Sequence, residues 1–369
     1  MRTSSAFDRE IVSRMQEITR LLLVRIRSLG DSILTLPLIE ALHEWRPELR
    51  LGIVIEAPYA AVFRHHPAVK ALFILKTKTG KTKTGHPALS RPRLIYELFR
   101  QRYPAVLNLH GGSTSMVITA ATRSPLRLGQ DTHRWSWIYN GRIPASSTIW
   151  GKRSLHTVEH QLTFMRWLGL PVTARSATLH IDPVARARIA DYLQRSKISN
   201  YLVVHPTATL PTKQWTPTNF ARLGDALLRE FGHPIIYTAA QHEIPLLQQV
   251  QQAAQESHIY RADLTLAEHF ALLERCRLFI GNDSGPMHAA AALKKPVVAV
   301  WGSSDFNAWH PWQTEYDVVR SDLACMPCPG YGCPVFGDPK CILDIPVSRV
   351  ADACARLLSS TRTQISDSC

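Results

Sequence analysis

Short apolar runs, each followed by an amphipathic segment, recur along the chain. In the first half the runs are "RLLLVRIR" (20–27), "LRLGIVIEA", "VKALFIL" and "YPAVLNLHGG", the last stopping at paired glycines. Runs of this length bounded by turn residues read as buried strands. The first leads into "LGDSILTLPLIEALHEWRP", whose apolar positions recur at helical spacing and whose Asp31 or Ser32 can cap a helix. A polar, aromatic-rich stretch, "QDTHRWSWIYNGRIPASSTIWGKRS", interrupts the pattern, and a long helical segment, "HTVEHQLTFMRWLGLP", follows it. A second alternating series then begins, with "NYLVVHPTA", "GHPIIYTAA", "SHIYRA", "CRLFIGND" and "KPVVAVWG" as its strands. Strands alternating with helices imply parallel sheets covered on both faces. The expected architecture is α/β, with two Rossmann-like domains facing across a central cleft. The first is expected over 1–168, with 1–18 as an N-terminal extension, and the second over 169–345. A C-terminal helix over 346–369 is expected to pack back on the first domain.

A length of 369 residues accommodates two such domains, each with its own core. No run of eighteen apolar residues occurs, and the charged N-terminus lacks the apolar segment of a signal peptide, so cytoplasmic residence is expected. The net charge of +14 is unevenly placed: residues 1–168 hold 25 Lys+Arg against 11 Asp+Glu, and residues 169–369 hold 18 of each. The first domain should therefore meet something anionic, whether nucleic acid, a membrane surface or a phosphorylated substrate. The basic segment "KTKTGKTKTG" (Lys76–Gly85) has no interleaved aromatics, which argues against specific nucleic-acid readout. Four of the seven cysteines fall in "CMPCPGYGCPVFGDPKC". In a cytosolic chain, the C-x2-C-x4-C-x7-C spacing of Cys325, Cys328, Cys333 and Cys341 suggests a structural metal such as zinc before disulfides. Free thiols in a Pro/Gly-rich loop are the alternative.

The polar clusters follow strands, where an open α/β sheet binds its ligands. Gly30 and Asp31 occupy the turn after the first strand. A carboxylate there can take a proton from a substrate hydroxyl, or only cap the helix. After "YLVV", Thr207, Thr209 and Thr212 offer hydroxyls and Lys213 a flexible positive charge, a combination suited to phosphate. "GNDSGPMHAAAAL" ends a strand and opens a helix whose free N–H groups suit an anion. Asp283, Ser284 and His288 lie within six residues there, yet the wording is not the G-x-S-x-G elbow of a serine hydrolase. One Asp and one His are too few for a metal site. G-x-G-x-x-G is absent, which disfavours a dinucleotide oxidoreductase.

Five stretches, "RSLGDSILTLP", "NLHGGSTS", "HPTATLPTKQW", "GNDSGPMHAAAAL" and "WGSSDFNAWHPW", together resemble glycosyltransferase family 9, the lipopolysaccharide heptosyltransferases. The "HPT…K.W" and "DS.PMH" wording is most like that of the branch adding a side heptose to the inner core. The resemblance implies a GT-B fold and inverting, metal-independent transfer from a nucleotide sugar, usually ADP-heptose, with no cofactor required. It implies an anionic lipid-linked oligosaccharide acceptor at the cytoplasmic face of the inner membrane, and no nucleic-acid partner. By the resemblance Asp31 matches the general base, and Thr207 and Lys213 match donor-phosphate contacts, with Ala208 replacing a common hydroxyl residue; Thr209, on the same loop, is expected on the donor side as well. Asp283, Ser284, Gly285 and His288 match the donor motif, Ser284 standing where many members have Thr. Glu243 matches an acidic residue that holds the adenosine ribose. Gly30, His110, Gly111, Gly112 and Arg134 are expected on the acceptor side. A transferase using another nucleotide sugar, and a non-catalytic sugar-nucleotide-binding protein, are the competing readings.

Overall fold

The computed structural model describes residues 6–77, 88–172, 176–328 and 330–366. Most of the Lys/Thr segment, from Lys78 on, lies outside the described residues. The chain divides into two compact units, Met1–His180 and Ile181–Cys369, a boundary later than the expected 168.

Each unit is built on one all-parallel six-stranded sheet. The first contains β1 (Arg20–Val24), β2 (Arg50–Glu56), β3 (Val69–Leu75), β4 (Ala105–Asn108), β5 (Leu126–Gln130) and β6 (Gly141–Ile143), in the order β3-β2-β1-β4-β5-β6. The second contains β7 (Leu202–His205), β8 (Ile235–Thr238), β9 (Ile259–Arg261), β10 (Leu278–Asn282), β11 (Val297–Trp301) and β12 (Tyr316–Arg320), in the order β12-β11-β10-β7-β8-β9. Both are the doubly wound order, in which the chain reverses direction across the sheet between its first and fourth strands. That reversal opens a crevice beyond the carboxyl ends of β1 and β4 in one unit, and of β7 and β10 in the other. These four strands are buried almost throughout, because helices cover both faces.

The expected strands all form, and the structure adds β5, β6 and β12. The stretch that interrupts the pattern contains β6, so it continues the sheet. The presumed N-terminal extension also belongs to the fold. Helix Ala6–Glu17 buries Ile11 and Met15, and Arg46 Nη1 donates to the carbonyls of Met15, Gln16 and Ile18 at 3.2, 2.7 and 2.8 Å. A cation there satisfies carbonyls that a helix end leaves unpaired.

In the second unit, helix Pro217–Phe231 starts as expected, with Thr216 Oγ1 accepting the Asn219 N–H at 3.1 Å and Pro217 at the first position. It stops at Gly232, whose φ of +67° suits glycine. The C-terminal helix, Val347–Ser366, was expected to lie against the first half. Its buried residues Val350, Ala353, Cys354, Leu357 and Leu358 instead join the second unit's own core, beside Trp215, Phe220 and Val319.

Candidate active site

In the second unit two loops meet beyond β7 and β10. The β10 loop presents Asp283, 4% exposed, whose Oδ2 accepts a hydrogen bond from Lys213 Nζ at 2.7 Å and another from Ser304 Oγ. Asp283 thus holds the Lys213 ammonium, itself 21% exposed, at the meeting of the two loops. The preceding Asn282 locks the two loops together. Its Oδ1 accepts the Trp215 N–H at 3.1 Å and its Nδ2 donates to Pro206 O at 3.0 Å. Trp215 is fully buried and its indole N–H reaches Ile345 O at 3.0 Å, so the Lys213 loop is anchored at its far end.

Next to this pair, helix Gly285–Ala292 begins at Ser284. Pro286 at the second position has no N–H, and the Ser284 hydroxyl is buried without a hydrogen-bond partner. A helix start carries partial positive charge and unpaired N–H groups. With an ammonium and a spare hydroxyl beside it, this start suits a phosphate-type anion.

Beneath the Lys213 loop lies a buried polar chain. His205 Nε2 pairs with Thr207 Oγ1 at 2.8 Å and its Nδ1 with Thr238 Oγ1 at 3.2 Å, while the His269 ring stands 5.9 Å away. Burial lowers His205 to about 4; burial, then His205, lower His269 to about 3. Both rings are therefore neutral near pH 7.

In the first unit Asp31 sits in the first turn of the short helix Leu29–Ile33 after β1. Arg25, 5% exposed, forms an ion pair with Asp31 Oδ1 and donates to Leu109 O at 2.5 Å, tying the β1 and β4 ends together. Ser28 Oγ donates to Asp31 Oδ2 at 3.1 Å. Burial lowers the Arg25 guanidinium, and Asp31 opposes that shift.

Across the reversal, Asn108 Oδ1 accepts the N–H groups of His110 and Gly111 at 3.0 and 3.2 Å. Gly111 needs to be glycine: its φ is +71°, and a Cβ would stand 2.6 Å from His133 Cδ2. Burial and then the charges of Arg25 and Arg27, partly opposed by Asp31, push His110 down to about 4. His110 is thus a neutral ring near pH 7, close to the Arg25–Asp31 pair. A cavity of about 140 Å³ opens beyond β4, β5 and β6, lined by Asn108, Gln130, His133, His160 and Gln161 among others.

Residues 91–336 match the family model described as glycosyltransferase family 9 (heptosyltransferase). The chain belongs to glycosyltransferase family 9. It is 25% identical over 296 residues to lipopolysaccharide heptosyltransferase 3 of Escherichia coli, covering 77% of this chain and 83% of that one. Among solved structures it resembles E. coli ADP-heptose lipopolysaccharide heptosyltransferase II, with a TM-score of 0.76 at 19% identity over 93% of this chain and 99% of the other. It also resembles E. coli heptosyltransferase WaaC with ADP-2-deoxy-2-fluoro heptose, with a TM-score of 0.65 at 20% identity and coverages of 93% and 99%. The fold is accordingly of the GT-B type, with two Rossmann-like domains.

Within this family 9 chain, the structure brings Lys213, Asp283, Ser284 and Gly285 together at one crevice, and Gly30, Asp31, His110, Gly111 and Gly112 at the other. His288, buried on the helix, packs 6.2 Å from the Trp309 ring. Thr207 is buried with its hydroxyl on His205, whereas Thr209 is exposed. Glu243 Oε2 accepts the Ala240 N–H at 2.8 Å, capping a short turn. Arg134 is exposed. Sequence reasoning missed Arg25, Ser304 and the His205–Thr238–His269 chain. Ser304 lies within the quoted "WGSSDF" and was open to discovery, since it follows β11, the strand beside β10.

The four loop cysteines are free and line one small cavity. Burial, then Cys328, Cys325 and Cys333, raise the Cys341 thiol. A separate cluster, Glu40, His66 and His180, has its ligand-type atoms all within 4.8 Å of one another. The Ala68 N–H donates to His66 Nδ1 at 3.2 Å, which leaves the ring proton on Nε2, 3.3 Å from Glu40 Oε1. A nitrogen carrying its proton has no lone pair for a metal, so this cluster is an imidazole–carboxylate contact.

Proposed function

We propose that this chain is an inverting heptosyltransferase that moves a heptose from ADP-heptose to the lipopolysaccharide inner core. The observation that carries the donor side is the Lys213–Asp283 pair standing at the helix start that bears the unpartnered Ser284 hydroxyl. Of the structural relatives, one is an ADP-heptose heptosyltransferase and another holds ADP-2-deoxy-2-fluoro heptose, which supports this donor. Lys213, the Ser284 hydroxyl and the Gly285 N–H meet the charge that grows on the diphosphate as it leaves. Thr209 stands at the exposed part of the same loop, and Glu243 is the residue assigned to the ribose. Asp31 acts as general base. It takes the proton of the acceptor hydroxyl as that oxygen bonds to the anomeric carbon, and the bond to the diphosphate breaks with its electron pair leaving on ADP. Arg25 and Ser28 hold the carboxylate in place. His110, Gly111, Gly112 and Arg134 belong to the acceptor side in this reading.

The acceptor reading is an anionic lipid-linked oligosaccharide at the cytoplasmic face of the inner membrane. Helix Arg91–Gln101 supports it. Arg91, Arg93 and Arg100 are exposed on the helix together with Tyr96 and Phe99, and Arg102 follows at its end. Basic and aromatic residues on one exposed helix suit an anionic interface. Among the described residues no helix is long and apolar enough to cross a membrane.

Asp31→Asn tests the assignment. Loss of a general base is expected to lower kcat by roughly 10²–10⁴-fold, with ADP binding by calorimetry unchanged. A variant that keeps full turnover removes Asp31 from the chemistry. A panel of nucleotide sugars tests the donor: preferential turnover of an ADP- or GDP-hexose would replace ADP-heptose in this reading.

A further inference from the structure

Between β12 and the short helix Lys340–Leu343 the described residues form no helix or strand, only a bridge between Cys333 and Gly337. An irregular segment this long has no core of its own, and such loops are uncommon in compact domains unless they have a function. Here Cys325, Cys328, Cys333 and Cys341 surround one cavity of about 20 Å³, closed on other sides by Met326, Pro334 and Val335. A void of that size has room for one water-sized particle. Its walls are thiols and apolar groups together with Thr212 and Ser303, whose hydroxyls are bonded to each other, a lining that serves a water poorly and a soft cation well. The Phe336 N–H donates to Cys333 Sγ at 3.4 Å, which fixes that side chain on the cavity wall.

The loop is also fastened to the Lys213 loop. The Cys328 N–H donates to Ser303 O at 2.9 Å, and Thr212 Oγ1 bonds both Ser303 Oγ, at 2.8 Å, and Gly330 O. Thr212 precedes Lys213, and Ser303 precedes Ser304, so each attachment is one residue from a partner of Asp283.

We propose that Cys325, Cys328, Cys333 and Cys341 bind one thiophilic divalent metal ion, zinc or ferrous iron, as a four-thiolate knuckle that braces Thr212 and thereby positions Lys213. No three of these four sulphurs lie within 4.8 Å of one another, so the four are not yet gathered at the spacing of a closed site. Binding therefore draws the loop inward on the void. One C-x2-C pair and two further cysteines around a single void supply the four thiolates that structural zinc and iron centres use.

The test is elemental analysis of the full-length reduced protein, purified anaerobically and reconstituted with Zn²⁺ or Fe²⁺ in separate samples. One tightly held ion per chain is expected, and the metal found in the protein as purified distinguishes zinc from iron. Replacement by Co²⁺ should give the absorption of a tetrahedral thiolate site. Cys325→Ser/Cys333→Ser should abolish both signals, whereas Asp31→Asn should leave both intact. The positioning half rests on the donor reading above: stripping the ion with a chelator should weaken ADP binding about tenfold, reversibly, through loss of the Thr212 contacts. Chelation of wild-type protein keeps the test valid if the double variant fails to fold. A reconstituted protein with no bound ion, or with the four cysteines paired as disulfides, overturns the site. A bound ion whose removal leaves ADP affinity unchanged overturns the positioning role. Neither result depends on transferase turnover, so both are separable from failure of the heptosyltransferase reading.

Discussion

The Lys213–Asp283 pair makes an asymmetric prediction. Asp283 is 4% exposed and Lys213 21% exposed, with 2.7 Å between their charged atoms. Lys213→Met leaves a carboxylate out of water with only the Ser304 hydroxyl beside it. Breaking a buried pair in this way costs about 3–5 kcal/mol. Asp283→Asn leaves an ammonium close enough to solvent to swing outward, and Asn can still accept from Ser304. That change should cost about 1–2 kcal/mol, the scale of one charged hydrogen bond. Since removing both charges leaves neither stranded, the double variant should lie within roughly 1 kcal/mol of Asp283→Asn. Urea unfolding followed by tryptophan fluorescence reads the relevant unit, because Trp215 and Trp301 are buried in it. Equal costs for the two single variants, or a double variant equal to their sum, would refute the view that Asp283 is buried as Lys213's partner. In the same proteins Lys213→Met should also weaken ADP binding at least tenfold, about 1.4 kcal/mol, through loss of a charged contact.

The neutral histidines set an acid limit. His205 at about 4 and His269 at about 3 lie below the unfolded value of 6.5, so the unfolded chain binds more protons as the pH falls. Stability should be complete above pH 6.5 and fall toward pH 4, by about 3 kcal/mol for His205 alone; a flat urea midpoint across that range would contradict it, and His205→Asn should shrink the slope. Gly111→Ala combines a left-handed φ with a Cβ 2.6 Å from His133, whose Nδ1 is held 2.8 Å from Tyr139 Oη. It should cost about 2 kcal/mol or more, measured by thermal unfolding, and an Ala variant as stable as wild type would remove the close approach. Trp215→Ala should destabilise by about 3–5 kcal/mol and lower ADP affinity further than stability alone explains, since Trp215 anchors the Lys213 loop. Unchanged ADP affinity in the folded variant would separate the anchor from the site.

The central strands could be read from the sequence because burial on both faces demands continuous apolar runs, as in "RLLLV" and "LFIGN". The structure's additional strands lack that signature. β12 is an edge strand with Tyr316 and Arg320 exposed, and β6 has only three residues with Arg142 exposed between two buried neighbours. A strand with one covered side resembles a polar loop in sequence. The site followed the same rule. As candidates, Asp31, His110, Lys213 and Asp283 could be picked out because each follows one of the four central strands at a reversal point. His133 and Gln130 were not, because they depend on the strands that were missed.

Arg25 shows what the apolar pattern concealed. It stands inside the run "RLLLVRIR", and a run is read by its majority, so a single charge within it was passed over. A guanidinium 5% exposed at the end of a central strand is costly unless a carboxylate and a carbonyl meet it. Asp31 and the Leu109 carbonyl do so. The ion pair therefore argues that Asp31 is more than a helix cap, the alternative left open by sequence alone. The short helix Leu29–Ile33 has no side-chain cap at Ser28, and the Asp31 carboxylate is turned to Arg25 and Ser28. Arg25→Met consequently separates the two roles. If Asp31 is a positioned base, the variant should lose kcat while ADP binding stays, because the carboxylate loses its orientation. If Asp31 only supports the helix, Arg25→Met should alter stability and leave kcat untouched.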